Sequence, residues 1–194
     1  AGTLVTGMIA LRGDAVQVQA RVVRGADLQT VWMLGPERGS ATDLTPALDA
    51  IRERVLGAVG WYVGPPTRGV VNPGIRQPAP SLEVLRLFER AHEVFLDDRS
   101  DRYERALSLF RETFARDSTW FHVVDWIAVT YSNAGRWHER DSTLAFLEAR
   151  RARLSEGDAL ALDWMRSLQA SPEEQLRTVL AFYARDPSEA PNLT

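Results

Sequence analysis

The chain contains no cysteine and no lysine. The first absence removes disulfides, thiolate metal sites and a cysteine nucleophile, and it leaves the compartment open, because cysteine-free proteins occur on both sides of a membrane. The second means that all 23 basic residues are arginine. Arginine chosen for two-pronged anion recognition would sit in clusters, and only Arg150, Arg151 and Arg153 come near one. The arginine-only complement reads as codon bias of a GC-rich bacterial genome, and the cluster as a solvated helix end. Long apolar runs are missing too. None approaches the roughly 20 residues of a membrane span, and the opening AGTLVTGMIALRGD lacks the basic flank and apolar stretch of a secretion signal. No direct span is expected, and any anchor is expected outside this chain.

Excess positive charge is also lacking. A formal net charge of −3 gives no broad attraction to nucleic acid, so no nucleic-acid partner is expected. No glycine-rich phosphate loop follows a candidate strand, and no His-x-x-x-His spacing marks a metal site. Accordingly, no catalytic residue, cofactor or metal is expected.

What is present is ordinary for a globular protein: 194 residues, 45% hydrophobic and 25% charged, enough for one or two small domains. The first third has the period of a strand. In DAVQVQARVV, Val16, Val18, Ala20 and Val22 alternate with Gln17, Gln19 and Arg21, giving one buried and one wet face. TLVTGMIAL at 3–11 precedes it across a turn at Arg12, Gly13 and Asp14, and LQTVWML at 28–34 follows. The triplet Arg-Gly-Asp in that turn has an alternative reading as an adhesion motif, but a tight turn calls for Gly and Asp anyway. After GPERGS the period becomes helical, with Leu48, Ile51, Val55, Leu56 and Val59 on one stripe behind Thr45 and Pro46. The expected fold is α+β: a small antiparallel sheet with one covering helix (1–63), a linker at 64–80 with five prolines and three glycines, and an all-α array of about three hairpins at 81–194.

The array carries an internal repeat. Tyr103 and Trp137, Phe110 and Leu144, and Thr113 and Leu147 are each 34 residues apart (137 − 103 = 34). RYERALSLFRETFARDS, with Ala106 four before Phe110, and WIAVTYSNAGRW, with Ala128 three before Tyr131 and Gly135 at the turn, resemble the tetratricopeptide repeat, whose period is 34. The resemblance covers roughly Ser81 to Pro187, departing at Arg140, where a small residue is expected, and in a third hairpin placed at Ser155–Leu168 and Pro172–Arg185 before Asp186 and Pro187. It implies hairpins that bury their apolar faces by stacking on one another, Trp137 filling the space between hairpins as Tyr103 does, and a groove lined by the first helix of each. His92, His122, Asp125, Val129, Asn133, Asp163 and Arg166 are then the candidate partner contacts.

Two clusters invite a chemical reading. His138, Asp141 and Ser142 fall at i, i+3 and i+4, as a nucleophile with its base and orienter would; the repeat places them instead on the solvent side of a second helix. His122 and Asp125 would bind a metal only with ligands from elsewhere, and read as a helix-surface pair. The six tryptophans are spaced as packing residues.

Leu4, Val5 and Gly7, then Gly13, Asp14, Val16, Val18 and Ala20, then Val31 and Trp32, resemble the second half of the TolB-like amino-terminal domain. Bacteria place that domain before tetratricopeptide repeats in regulatory proteins. The resemblance implies a non-catalytic module acting in protein interaction or assembly within a larger regulatory or membrane-associated complex, its partners bound through the repeat groove and an unpaired β-edge. A ligand-sensing domain signalling to a kinase or cyclase is the alternative reading, and a hydrolase built on His138, Asp141 and Ser142 a third.

Overall fold

The computed structural model describes residues 2–63 and 79–185. Three strands, β1 (Thr3–Arg12), β2 (Ala15–Arg24) and β3 (Thr30–Ser40), form an antiparallel sheet in the order β1-β2-β3. Gly13 turns the first hairpin at φ 59°, a left-handed conformation that favours glycine. On β2, Val16, Val18, Ala20 and Val22 are buried, while Arg21 on the opposite face donates to the Thr6 hydroxyl at 2.8 Å. The expected third strand stops at Leu34, but β3 continues to Ser40. The chain passes Pro36 by a bulge: Val18 pairs with Glu37 and Ala20 with Leu34, so Gly35 and Pro36 together oppose Gln19. Proline is tolerated there because β3 is an edge strand.

Helix α1 (Thr45–Val63) covers β2 and β3. The expected inward stripe is rotated: Leu48 and Leu56 are exposed, and Ala47, Ile51, Ala58 and Trp61 are buried. Small residues stand where the helix closes on Pro80 and α2. A Cβ on Gly57 would stand 2.0 Å from the Pro80 carbonyl oxygen, and one on Gly60 would stand 2.9 Å from a Leu85 methyl. The expected linker lies outside the described residues except for Ala79 and Pro80, as do Asp186 and Pro187.

Among the described residues six α-helices follow: α2 (Leu82–Leu96), α3 (Arg102–Arg116), α4 (His122–Asn133), α5 (Trp137–Glu148), α6 (Glu156–Ser167) and α7 (Pro172–Arg185). They pair as three successive hairpins, α2 with α3, α4 with α5 and α6 with α7. Ser81 and Ser155 cap α2 and α6, each hydroxyl accepting from a backbone N–H three residues on. Helices α4 and α6 are spaced by the period itself, 156 − 122 = 34 and 167 − 133 = 34.

Phe110, Leu144, Thr113 and Leu147 are all buried, in line with their common spacing. Trp137 departs from the expectation: it is 52% exposed. Arg140 is buried at the position where the resemblance leads one to expect a small residue, and its guanidinium pairs with Asp141 at 2.6 Å and lies 5.0 Å from the Trp137 ring centre. The ring rides outward on the arginine.

One apolar cluster runs from Val18, Val22 and Trp32 of the sheet through Ile51, Ala58 and Trp61 of α1 to Phe88, Phe110, Trp120 and Ile127. Trp61 is its joint, meeting Phe88, Trp120 and His122 edge-on at ring-centre distances of 5.6, 5.2 and 4.8 Å. A second cluster, with Val124, Ala128, Leu144, Leu147, Leu162 and Met165, joins α4, α5 and α6.

Candidate functional site

The seven candidate contacts divide by burial. His92 on α2 is buried, its ring edge-on to Trp126 at 4.5 Å. His122 and Asp125 on α4 are buried as well, so the expected helix-surface pair is corrected: α6 packs over this face of α4, and neither side chain is offered to an open groove. Val129 and Asp163 are half-buried, and Asn133 and Arg166 are exposed. The Asn133 amide donates to the Val129 carbonyl at 2.9 Å, Asp163 pairs with Arg151, and Arg166 pairs with Glu148 at 2.6 Å. Arg151 also pairs with Glu148, so Asp163 and Arg166 belong to one ion network tying α6 to the end of α5.

A third polar side chain joins the i, i+3 pair from α6. His122, Asp125 and Asp158 bring one oxygen or nitrogen each to within 4.8 Å of one another, all three residues buried. His122 Nδ1 lies 3.3 Å from Asp158 Oδ1. The Ser155 hydroxyl donates to Asp158 Oδ2 at 2.6 Å and in turn accepts from the Asp158 backbone N–H at 3.0 Å. Asp125 is only 6% exposed, and among the described residues its Oδ2 meets no hydrogen-bond partner.

Trp126 decides the tautomer of the ring. Its indole Nε1–H donates to His122 Nε2 at 3.1 Å, and an indole can only donate. His122 Nε2 therefore presents a lone pair, and the proton of the neutral ring sits on Nδ1, facing Asp158. A metal-bound histidine needs the reverse, with its free nitrogen carrying a proton that it gives to an acceptor. The trio thus has the spacing of a metal site and the tautomer of a proton-holding one.

Electrostatics divide the two carboxyls. Burial, then repulsion by Asp158 and the hydrogen bond to it, push Asp125 well above the ordinary carboxyl range. Burial also pushes Asp158 upward, but the bonds from His122, Ser155 and Asp125 outweigh it and hold that carboxyl below its ordinary value. Two carboxylates in one dry site cannot both ionise cheaply, and the partners favour charge on Asp158.

His138, Asp141 and Ser142 are not assembled into a catalytic relay. The Ser142 hydroxyl donates to the His138 carbonyl at 3.0 Å, and the Asp141 carboxylate is engaged by Arg140. His138 and Ser142 instead line a groove of about 490 Å³ with Arg111, Phe114, Tyr131 and Phe146, between α3 and α5.

The sheet presents the other candidate. β1 is an edge strand with ten residues in unbroken register against β2. Val5, Ile9 and Leu11 pair with Val22, Val18 and Val16 and so share their face, but α1 stops short of β1. Ile9 is 59% exposed and Leu11 67%, beside valines that are buried. On the opposite face Leu4 and Met8 are exposed too. The other edge differs. β3 is interrupted by the Gly35–Pro36 bulge and carries Glu37 and Arg38, devices that blunt an edge against pairing. β1 has neither bulge nor proline, and its single charge is Arg12 at the end.

No protein-family model matches the chain, and no curated protein matches it.

Proposed function

We propose that the chain is a non-catalytic protein-interaction module whose partner adds a strand to β1. The observation that carries this reading is the uncovered row Val5, Ile9 and Leu11 on an unblunted edge strand. Unpaired N–H and C=O groups along such an edge template another strand, and main-chain hydrogen bonds then give affinity while alternate side chains give specificity. The chemistry of the occupant follows from the face: an extended segment with an apolar residue at every second position, backed by an element that continues the cover α1 leaves unfinished. The helical hairpins, read as tetratricopeptide-like, supply a scaffold for assembly in a larger regulatory or membrane-associated complex. Among the described residues no helix is long and apolar enough to cross a membrane.

Hydrogen exchange on the isolated chain and on the assembled complex tests the proposal. Outward amides of β1 should exchange quickly alone and slowly in the complex. Strong, equal protection in a monomeric isolated chain would show the edge already satisfied and remove the reading. Since the chain has no cysteine, a single Met8→Cys variant gives an unambiguous attachment point for cross-linking, and capture through it of a second copy alone would identify the occupant as this same chain.

A further inference from the structure

We propose that His122, Asp125 and Asp158 form a proton-operated latch between α4 and α6, which holds the third hairpin on the second while Asp125 carries a proton and releases it when that proton is lost. The geometry requires a proton there. Trp126 fixes the His122 proton on Nδ1, where it points at Asp158. The Ser155 hydroxyl spends its proton on the other oxygen of the same carboxylate. Asp158 is therefore supplied with donors, whereas Asp125 Oδ2 has none. A proton on Asp125 turns it from an unpartnered acceptor into a donor, and the Asp158 carboxylate is the acceptor within reach.

Among the described residues, the neighbours offer no other means of neutralising Asp125. From α1 the side chain facing His122 is Trp61; from α2, Phe88 packs on the His122 ring and His92 on Trp126. Arg153, ahead of α6, lies over the Phe121 ring at 5.1 Å. Among the described residues, the charge acting on Asp125 is that of Asp158.

The sign follows from linkage. A carboxyl raised above its ordinary value in the closed state favours closure at low pH, and that contribution is lost as pH rises through the raised value. Opening of α6 and α7 should therefore grow with pH, by up to about tenfold per pH unit, the limit for release of one proton. Asp158, held below its ordinary value, acts oppositely and only in stronger acid.

Hydrogen exchange of the full chain followed upward from the ordinary carboxyl range, about pH 4, and corrected for the intrinsic rate, should show α6 amides losing protection relative to α2 and α3. Asp125→Asn, which donates to Asp158 without a titrating proton, should flatten that slope. As a measurement that needs no variant to fold, infrared difference spectra of the natural chain should show the carbonyl band of a protonated carboxylic acid persisting above the ordinary carboxyl range and lost as α6 opens. A pH slope unchanged by Asp125→Asn, or no protonated-acid band, would overturn the latch. So would a saturable gain in stability with Zn²⁺ that Asp125→Asn abolishes, since the cluster would then hold a metal.

Discussion

Strand β1 and the α4–α6 contact break the ordinary rule of burial in opposite senses. At β1, valine, isoleucine and leucine stand in solvent beside valines that are covered; between α4 and α6, two carboxyls and an imidazole are buried. The exposed apolar row is surface that the described part of the chain leaves uncovered, and the proposed occupant is an added strand. A buried polar trio costs a great deal unless every lone pair and proton is matched, so it marks a need for one particular protonation state. The first region is incomplete in surface, the second complete only in the right proton count.

Four variants probe that contrast. The largest effect is expected at the joint between the regions: Trp61→Ala should cost roughly 3 to 5 kcal/mol, as a core truncation does, and urea unfolding should show the sheet and the helices destabilised together. Next comes Asp158→Ala, which strips the His122 proton of its acceptor and leaves Asp125 alone; about 3 kcal/mol is expected for breaking a buried hydrogen-bonded charge, measured by the same unfolding curves.

Trp137→Ala should cost only about 1 kcal/mol, because half of the ring is already in water and the remainder rests on Arg140. A loss as large as that at Trp61 would show that the ring is packed between hairpins after all. The smallest stability effect belongs to β1. Ile9→Thr with Leu11→Thr keeps the branched or strand-compatible backbone preference and should move the unfolding free energy by no more than about 0.5 kcal/mol, yet weaken partner binding in a direct titration. Stability lost without any change in binding would reverse the comparison.

The sequence revealed the elements well where one period dominates. The alternation in AVQVQARVV is β2, and the third hairpin, expected at Ser155–Leu168 and Pro172–Arg185, is found at Glu156–Ser167 and Pro172–Arg185. Errors arose where close approach outranks hydrophobicity. On α1 Pro80 and Leu85 leave no room for larger residues at Gly57 and Gly60, and Ala47 lies against Gly39 of β3, whereas the apolar stripe of the sequence includes Leu48 and Leu56, which are exposed. At β3 the bulge hid the strand's second half, since Pro36 ends a strand in most contexts.

The site was half legible. His122 and Asp125 share a helix face by spacing alone, but Asp158 lies 36 residues beyond His122 and joins them only through the stacking of α6 on α4. The repeat period held the missing signal. Subtracting 34 from 158 gives 124, one residue before Asp125, so a polar side chain stood at the equivalent turn of the next hairpin's first helix. Burial of the pair, and the tautomer set by Trp126, had no signature along the chain.

Helix α1 has one further consequence. It is walled on one side by the sheet and on the other by Pro80, Leu85 and Phe88, so the apolar interior is shared between residues before Val63 and residues after Ala79. Cleavage between those positions would leave two pieces, each missing half of a common interior and neither able to bury Trp61 alone. Such pieces should behave as a split protein: inert apart, and recombining when mixed, with recovery of the tryptophan environment as the signal of reassembly.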